Sequence, residues 1–272
     1  MAAKPVVVGV DGSEESLRAV EWAALEARRH SAPLRIVSAP GPQPRMRTYQ
    51  ASPATVANAL RGVAARALAA AVERATEVAP GVVIDTGLLA GPPAVAVSDS
   101  GAGAQLLVVG ARGAGGFAAL ALGSVSRHAA TCAPCPTVVV REDTMAGHRE
   151  IGDGVRDPDD ADDTLGFAFE EAALRGANLT AVHAAAATAA AAAERHLEAA
   201  LRGWQQKYPD VSVNADVVRI HPARVLASLS ARADLVIIGR HGTAGGPDGS
   251  LIQHAVLGHA HGPVAIVPAG SA

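Results

Sequence analysis

The sequence predicts an α/β protein of two doubly wound domains, each organised around a mainly parallel sheet. Three observations lead there. The chain is written twice: residues 16–39 (SLRAVEWAALEARRHSAPLRIVSA) overlay 161–184 (ADDTLGFAFEEAALRGANLTAVHA) at a constant offset of 145, and 105–113 (QLLVVGARG) overlay 234–242 (DLVIIGRHG) at an offset of 129. Short continuous apolar runs alternate with segments of helical periodicity, as expected of strands covered on both faces. The 272 residues suffice for two domains with cores of their own, expected over 1–143 and 144–272.

In the first copy, the apolar run Val6–Val10 is a strand ended by the turn-forming Asp11, Gly12 and Ser13. Leu17, Val20, Ala24 and Ala27 recur at helical spacing. Leu34–Ala39 is the next strand, Val56–Val78 a long alanine-rich helix and Val82–Thr86 a strand. Pro92–Ser100 is a short helix started by proline. Strand Leu106–Val109, helix Gly123–Thr131 and strand Thr137–Val140 close the copy.

The second copy runs through Leu179–His183, Ala191–Tyr208, Val211–Val217, Pro222–Ala231, Leu235–Ile238, Leu251–Ala260 and Val264–Val267. Its opening segment is different. Glu150–Val155 carries Asp153 and two glycines, poor material for a central strand, so the first strand of this copy is read as eroded. The Asp-, Gly- and Pro-rich stretch 141–163 holds the linker.

Bulk properties narrow the function classes. With 23 Lys and Arg against 26 Asp and Glu the formal net charge is −3, which argues against a nucleic-acid footprint or a polybasic membrane patch. The N-terminus lacks a secretory pattern, and the alanine-rich stretches 63–71 and 184–193 are too short or too interrupted to span a bilayer. Two cysteines do not make a disulfide scaffold. A cytoplasmic protein is expected, with neither a nucleic acid nor a membrane as partner.

The chemistry centres on Gly110, Gly113, Gly123 and Ser124. A glycine-rich loop leads from an apolar strand into a helix, so backbone N–H groups can converge on an anion, aided by the helix N-terminus. Ser124 either caps that helix or donates its hydroxyl to phosphate, and Arg112 neutralises charge. Ligands of open parallel sheets gather beyond the strands' carboxyl ends, which brings Asp11 to the same crevice as an acceptor for a ribose hydroxyl or an adenine amino group. The loop lacks the lysine of a phosphate-binding GxxxxGK[ST] loop, and it follows a late strand rather than the first, unlike a Rossmann fingerprint.

The spacing Gly-x2-Gly-x9-Gly-Ser at Gly110, Gly113, Gly123 and Ser124 resembles the ATP-binding signature of the universal stress protein family. So do the opening VVVGVDGSEES, the later LLVVGARGAGGFAALALGSVS and the closing CPTVVV; the likeness extends over the chain as two family domains of the tandem actinobacterial type. The resemblance implies flavodoxin-like domains with five strands in the order 3-2-1-4-5. It implies that Asp11 contacts adenosine, with Val10 and Ala39 beside the base. Gly110, Arg112, Gly113, Gly123, Ser124 and Val125 would surround ribose and phosphates. ATP is the implied ligand, with magnesium an open question. The resemblance also implies pairing of the two domains through Thr137–Val140 and Val264–Val267, leaves a homodimer and an unidentified protein partner open, and connects the chain to stress.

The repeat places Arg156 where Asp11 stands, and Asp157 and Pro158 where Gly12 and Ser13 stand. Gly239 and Gly242 are kept, but only six residues then precede Gly249 and Ser250, and Pro247 and Asp248 subtract a donor and add a negative charge. A degenerate second site is expected. Cys132 and Cys135 follow a helix rather than lead one, which favours structural cysteines over a redox pair. His241, His254, His259 and His261 lack metal-ligand spacing, and Trp22, Trp204 and Tyr208 are read as packing residues. No catalytic constellation or metal site emerges. The expected function is an ATP-binding stress regulator; the alternatives are a weak ATPase or phosphotransfer enzyme, and a nucleotide-independent interaction protein.

Overall fold

The computed structural model describes residues 3–41, 52–113, 122–141, 147–240 and 246–270. The chain divides into two compact units, 1–141 and 142–272. The first is built from β1 (Val6–Gly9), α1 (Glu14–Arg29), β2 (Leu34–Ser38), α2 (Pro53–Val78), β3 (Ile84–Leu88), α3 (Pro93–Asp99), β4 (Leu106–Gly110), α4 (Ser124–Cys132) and β5 (Thr137–Val140). Its sheet runs β3-β2-β1-β4-β5, and every pair is parallel. Strands β1, β4 and β5 are apolar and nearly all buried because helices cover both faces. Helix α1 presents Ala19, Val20, Ala23, Ala24 and Ala27 to the core, and small side chains let it lie close to the sheet.

The second unit comprises β6 (Glu150–Val155), α5 (Asp162–Arg175), β7 (Asn178–Ala184), α6 (Ala190–Lys207), β8 (Val213–Val218), α7 (Pro222–Leu229), β9 (Leu235–Arg240), α8 (Gly246–His259) and β10 (Val264–Pro268). Its order is β8-β7-β6-β9-β10, again parallel throughout. Both units are therefore flavodoxin-like, with five strands in the order 3-2-1-4-5. Two edge strands lie two residues later than the apolar patterns suggest: β3 begins at Ile84 and β8 at Val213. Pairing register, not apolarity, sets where an edge strand begins.

The opening strand of the second unit corrects the sequence expectation. Glu150–Val155 is a complete six-residue strand, hydrogen-bonded between β7 and β9. Its glycines are what make it fit. A Cβ on Gly152 would lie 2.4 Å from Leu229 Cδ2, and one on Gly154 would lie 2.8 Å from Leu226 Cδ1, so both make room for α7. Gly9 does the same in the first unit, where a Cβ would meet Val97 of α3 at 2.8 Å. Asp153 is wholly buried with neither carboxylate oxygen hydrogen-bonded, and burial pushes its pKa up to about 8. The strand thus carries a neutral acid at neutral pH.

Three aromatic residues of the second unit gather on α5 and at the end of α6, as the packing reading of Trp204 and Tyr208 expects. Phe169 on α5 stacks near Trp204 and Tyr208 at centroid distances of 6.2 and 5.9 Å. Gly166 lets the Trp204 ring approach α5, and the indole N–H donates to Asp162 Oδ1 at 3.3 Å. Among the described residues no helix is long and apolar enough to cross a membrane.

Candidate functional site

The strand order of the first unit reverses between the carboxyl ends of β1 and β4, the place where ligands of open parallel sheets gather. The register Val6↔Leu106 through Gly9↔Val109 sets the next residues of each strand, Val10 and Gly110, side by side. Val10 is buried; its N–H donates to Val37 O at 2.8 Å and its carbonyl accepts from the buried Ser38 hydroxyl at 2.8 Å. Ala39 follows directly on β2, half-buried.

Asp11 is half-buried and anchored. Its Oδ1 accepts from the Ser13 N–H at 3.0 Å and from the Ser13 hydroxyl at 2.6 Å. Its other oxygen lies against Gly113: a Cβ there would fall 2.2 Å from Asp11 Oδ2. Gly113 is therefore glycine because the Asp11 carboxylate occupies the space a side chain would need. Between Asp11 and Ser13, Gly12 has φ +83°, a turn conformation natural to glycine. The Ser13 hydroxyl accepts from the Ser16 N–H at 3.2 Å, capping α1.

The ends of the glycine-rich loop are clasped together. The Gly123 N–H donates to Ala111 O at 2.8 Å, and the buried Ser126 hydroxyl donates to Gly110 O at 2.6 Å, with Ala111 O also within 3.1 Å. Residues 114–121 of that loop lie outside the described residues. Gly110 could carry no side chain, since a Cβ would sit 2.8 Å from Glu15 O. Arg112, about one third exposed, approaches the Glu15 carboxylate at 3.9 Å.

Gly123 occupies the cap position of α4 and Ser124 is its first helical residue. Ser124 is thus not the cap, one of its two expected roles. A glycine can hold the extended cap conformation, leaving the serine hydroxyl exposed and, among the described residues, without a hydrogen bond. Val125 is half-buried beside it. The structure brings Asp11 to Gly113, Gly123 to Ala111 and Ser126 to Gly110. The sequence does not point to Glu15, Ser38 or Ser126, and it reads Ser13 as part of a turn and helix cap, which the structure shows. The signal for Ser13 is a capping serine ahead of two acidic residues; the other three carry none.

The second unit repeats the strand register and rebuilds the crevice. Ile151 pairs with both Leu179 and Leu235, as Val6 pairs with Leu34 and Leu106, so the offsets of 145 and 129 hold in space and Arg156 occupies the Asp11 position. His183 stands where Ser38 stands, and its Nδ1 bonds Val155 O at 2.9 Å, matching the Ser38 bond to Val10 O. After β6 the copies part. A single 3-10 turn, Pro158–Asp160, replaces the Gly12 turn, and α5 begins at Asp162 behind Ala161, which makes no side-chain cap bond. Helix α8 starts at Gly246 rather than near Leu251, so Gly249 and Ser250 lie inside its first turns, with Pro247 at a tolerated early position. His241 and Gly242 lie outside the described residues. Cys132 ends α4 exposed, while Cys135 is buried, its sulfur 2.8 Å from where a Cβ on Gly101 would be.

A family model described as the universal stress protein family matches residues 2–141 and 184–268. The interval between the two matches covers β6, α5 and most of β7, where the crevice loop is rebuilt. A universal stress protein of Mycobacterium tuberculosis is 34% identical over 292 residues, which span 96% of each chain. One from Mycolicibacterium smegmatis is 32% identical over 269 residues, 88% of each chain. In fold, the chain resembles the crystal structure of a universal stress protein from Archaeoglobus fulgidus, with TM-score 0.77 at 16% identity, covering 99% of this chain and 97% of that one.

Proposed function

The chain belongs to the universal stress protein family, and we propose that its first domain binds an adenine nucleotide of the ATP class while its second does not. The observation that carries this reading is the anchored Asp11 carboxylate, one oxygen held by Ser13 and the other over Gly113, at the mouth of a loop clasped by Ser126. A fixed acceptor suits a ribose hydroxyl or an adenine amino group and repels bare phosphate. Val10 and Ala39 would flank the base. Gly110, Gly113 and Gly123 leave the backbone open to close approach, and the Ser124 hydroxyl, the Val125 amide and the N-terminus of α4 would receive phosphate. Arg112 would neutralise its charge.

The proposed role is regulatory binding in the stress response, in which occupancy alters conformation or partner contacts. Phosphoryl transfer needs a metal platform and an oriented nucleophile, roles that none of the assigned residues fills. Calorimetric titration of nucleotide-stripped protein with ATP, with and without magnesium, tests the reading. One site per chain is expected, and Asp11→Ala should weaken binding by about tenfold or more, the worth of a hydrogen bond to a charged group. Two sites per chain, or an Asp11→Ala variant that binds as well as the parent, would overturn it.

A further inference from the structure

We infer that Ser13 is a positioning residue of the nucleotide site, its hydroxyl holding the Asp11 carboxylate in the orientation that receives the ligand. The inference rests on the nucleotide reading above and deepens it, giving a separate, testable role to the hydroxyl that anchors its acceptor. A serine hydroxyl has one proton to donate and two lone pairs to accept with. At Ser13 an acceptor site is taken by the Ser16 N–H at 3.2 Å, and the proton goes to Asp11 Oδ1 at 2.6 Å. The second bond is the shorter and is charge-assisted, so it is the stronger of the two.

The backbone reinforces the same geometry. The Ser13 N–H donates to the same Oδ1 at 3.0 Å, the Ser16 hydroxyl donates to Ser13 O at 2.8 Å, and the Asp11 N–H points to Ser16 Oγ at 3.4 Å. Asp11, Ser13 and Ser16 thus form a closed ring of hydrogen bonds joining the end of β1 to the first turn of α1. Two donors on Oδ1 fix the plane of the carboxylate and leave Oδ2 over Gly113. Remove the hydroxyl, and Oδ1 loses its shortest, charge-assisted donor, so the side chain gains rotamer freedom that must be frozen again when ligand binds. Helix capping alone explains a serine here but not its proton on Asp11. The second domain fits the pairing: where Arg156 replaces the acceptor, Pro158 stands at the Ser13 position, and α5 begins without a side-chain cap.

Capping and positioning can be separated because they use different properties of the residue. Ser13→Asp keeps a side-chain acceptor favoured at helix caps but loses the donor and sets a second carboxylate against Asp11; Ser13→Gly is tolerated at a cap almost as well as serine and has no hydroxyl. Ser13→Thr keeps both functions. We expect the thermal unfolding of all three to stay near that of the parent chain. ATP affinity measured by calorimetry should fall about tenfold in Ser13→Gly, fall further in Ser13→Asp, and stay within about twofold in Ser13→Thr. In an Asp11→Ala background, Ser13→Gly should cost nothing more, because the group it positions is gone. Parent-like affinity in Ser13→Gly and Ser13→Asp would overturn the inference while leaving the nucleotide site standing. A full additional loss in the Asp11→Ala background would do the same. A parent chain that binds no ATP would instead remove the nucleotide reading, and this inference with it.

Discussion

The two domains share one strand register and carry different crevices. At the level where β1 holds Val8, β6 holds Asp153; beyond the strand ends, Asp11, Gly12 and Ser13 have Arg156, Asp157 and Pro158 as their counterparts in the repeat. The parts that differ do separate jobs. Register, glycine relief under the α3 and α7 helices, and the bond from β2 or β7 to the carbonyl at the end of the central strand are kept in both. What the second domain lacks is the left-handed glycine turn, the helix-capping serine and the acidic acceptor. Packing sustains the fold without the turn, so a duplicated domain can rebuild the loop beyond its central strand and keep its sheet.

Asp153 should produce the largest effect that sets the domains apart. Folding raises its pKa from the ordinary 3.8 to about 8, so its contribution to stability is full below the unfolded value and is lost as pH rises through the folded one. Relative to Asp153→Asn, the parent second domain should lose about 1.4 kcal/mol per pH unit across that window, on the order of 5 kcal/mol in all. Urea unfolding followed by Trp204 emission in a Trp22→Phe background would show it. Parallel pH profiles for the two proteins would mean that Asp153 ionises without cost.

A smaller effect is expected where β6 makes room for α7. Gly152→Ala should destabilise the second domain by about 1–3 kcal/mol, since its new methyl collides with Leu229. Adding Leu229→Ala should make that glycine substitution cheaper, a coupling readable in a double-mutant unfolding cycle. Additive losses would show that the helix shifts freely and that the glycines are not needed for its approach. The smallest effect is a null one: Arg156→Asp should leave the calorimetric stoichiometry at one ATP per chain, because the turn that would orient the new carboxylate is missing. Recovery of a second site would show that charge alone had silenced it.

Much of this was legible in the sequence. The repeat offsets, the alternation of apolar runs with helical periodicity, and the cluster of Gly110, Gly113 and Gly123 all report on local or periodic properties, which a linear chain displays directly. Glu150–Val155 was misread because Gly and Asp lower strand propensity, whereas the neighbours β7, β9 and α7 decide its state. Ser126 gave no sign of its role, since its bonds to Gly110 and Ala111 close across a loop that the sequence leaves open. Ser38 was hidden in the same way, its partner Val10 lying on another strand.

The sequence by itself determined the duplication, the parallel α/β class of each half and the residue types of the candidate crevice, because periodicity and composition are properties of the chain before it folds. Tertiary structure decided that the weakest strand pattern would become a central strand, that Gly113 must yield its space to Asp11, and that Ser126 would close the loop onto Gly110. Those outcomes depend on which atoms meet across strands and loops, and the free energy of a contact exists only once both partners are in place.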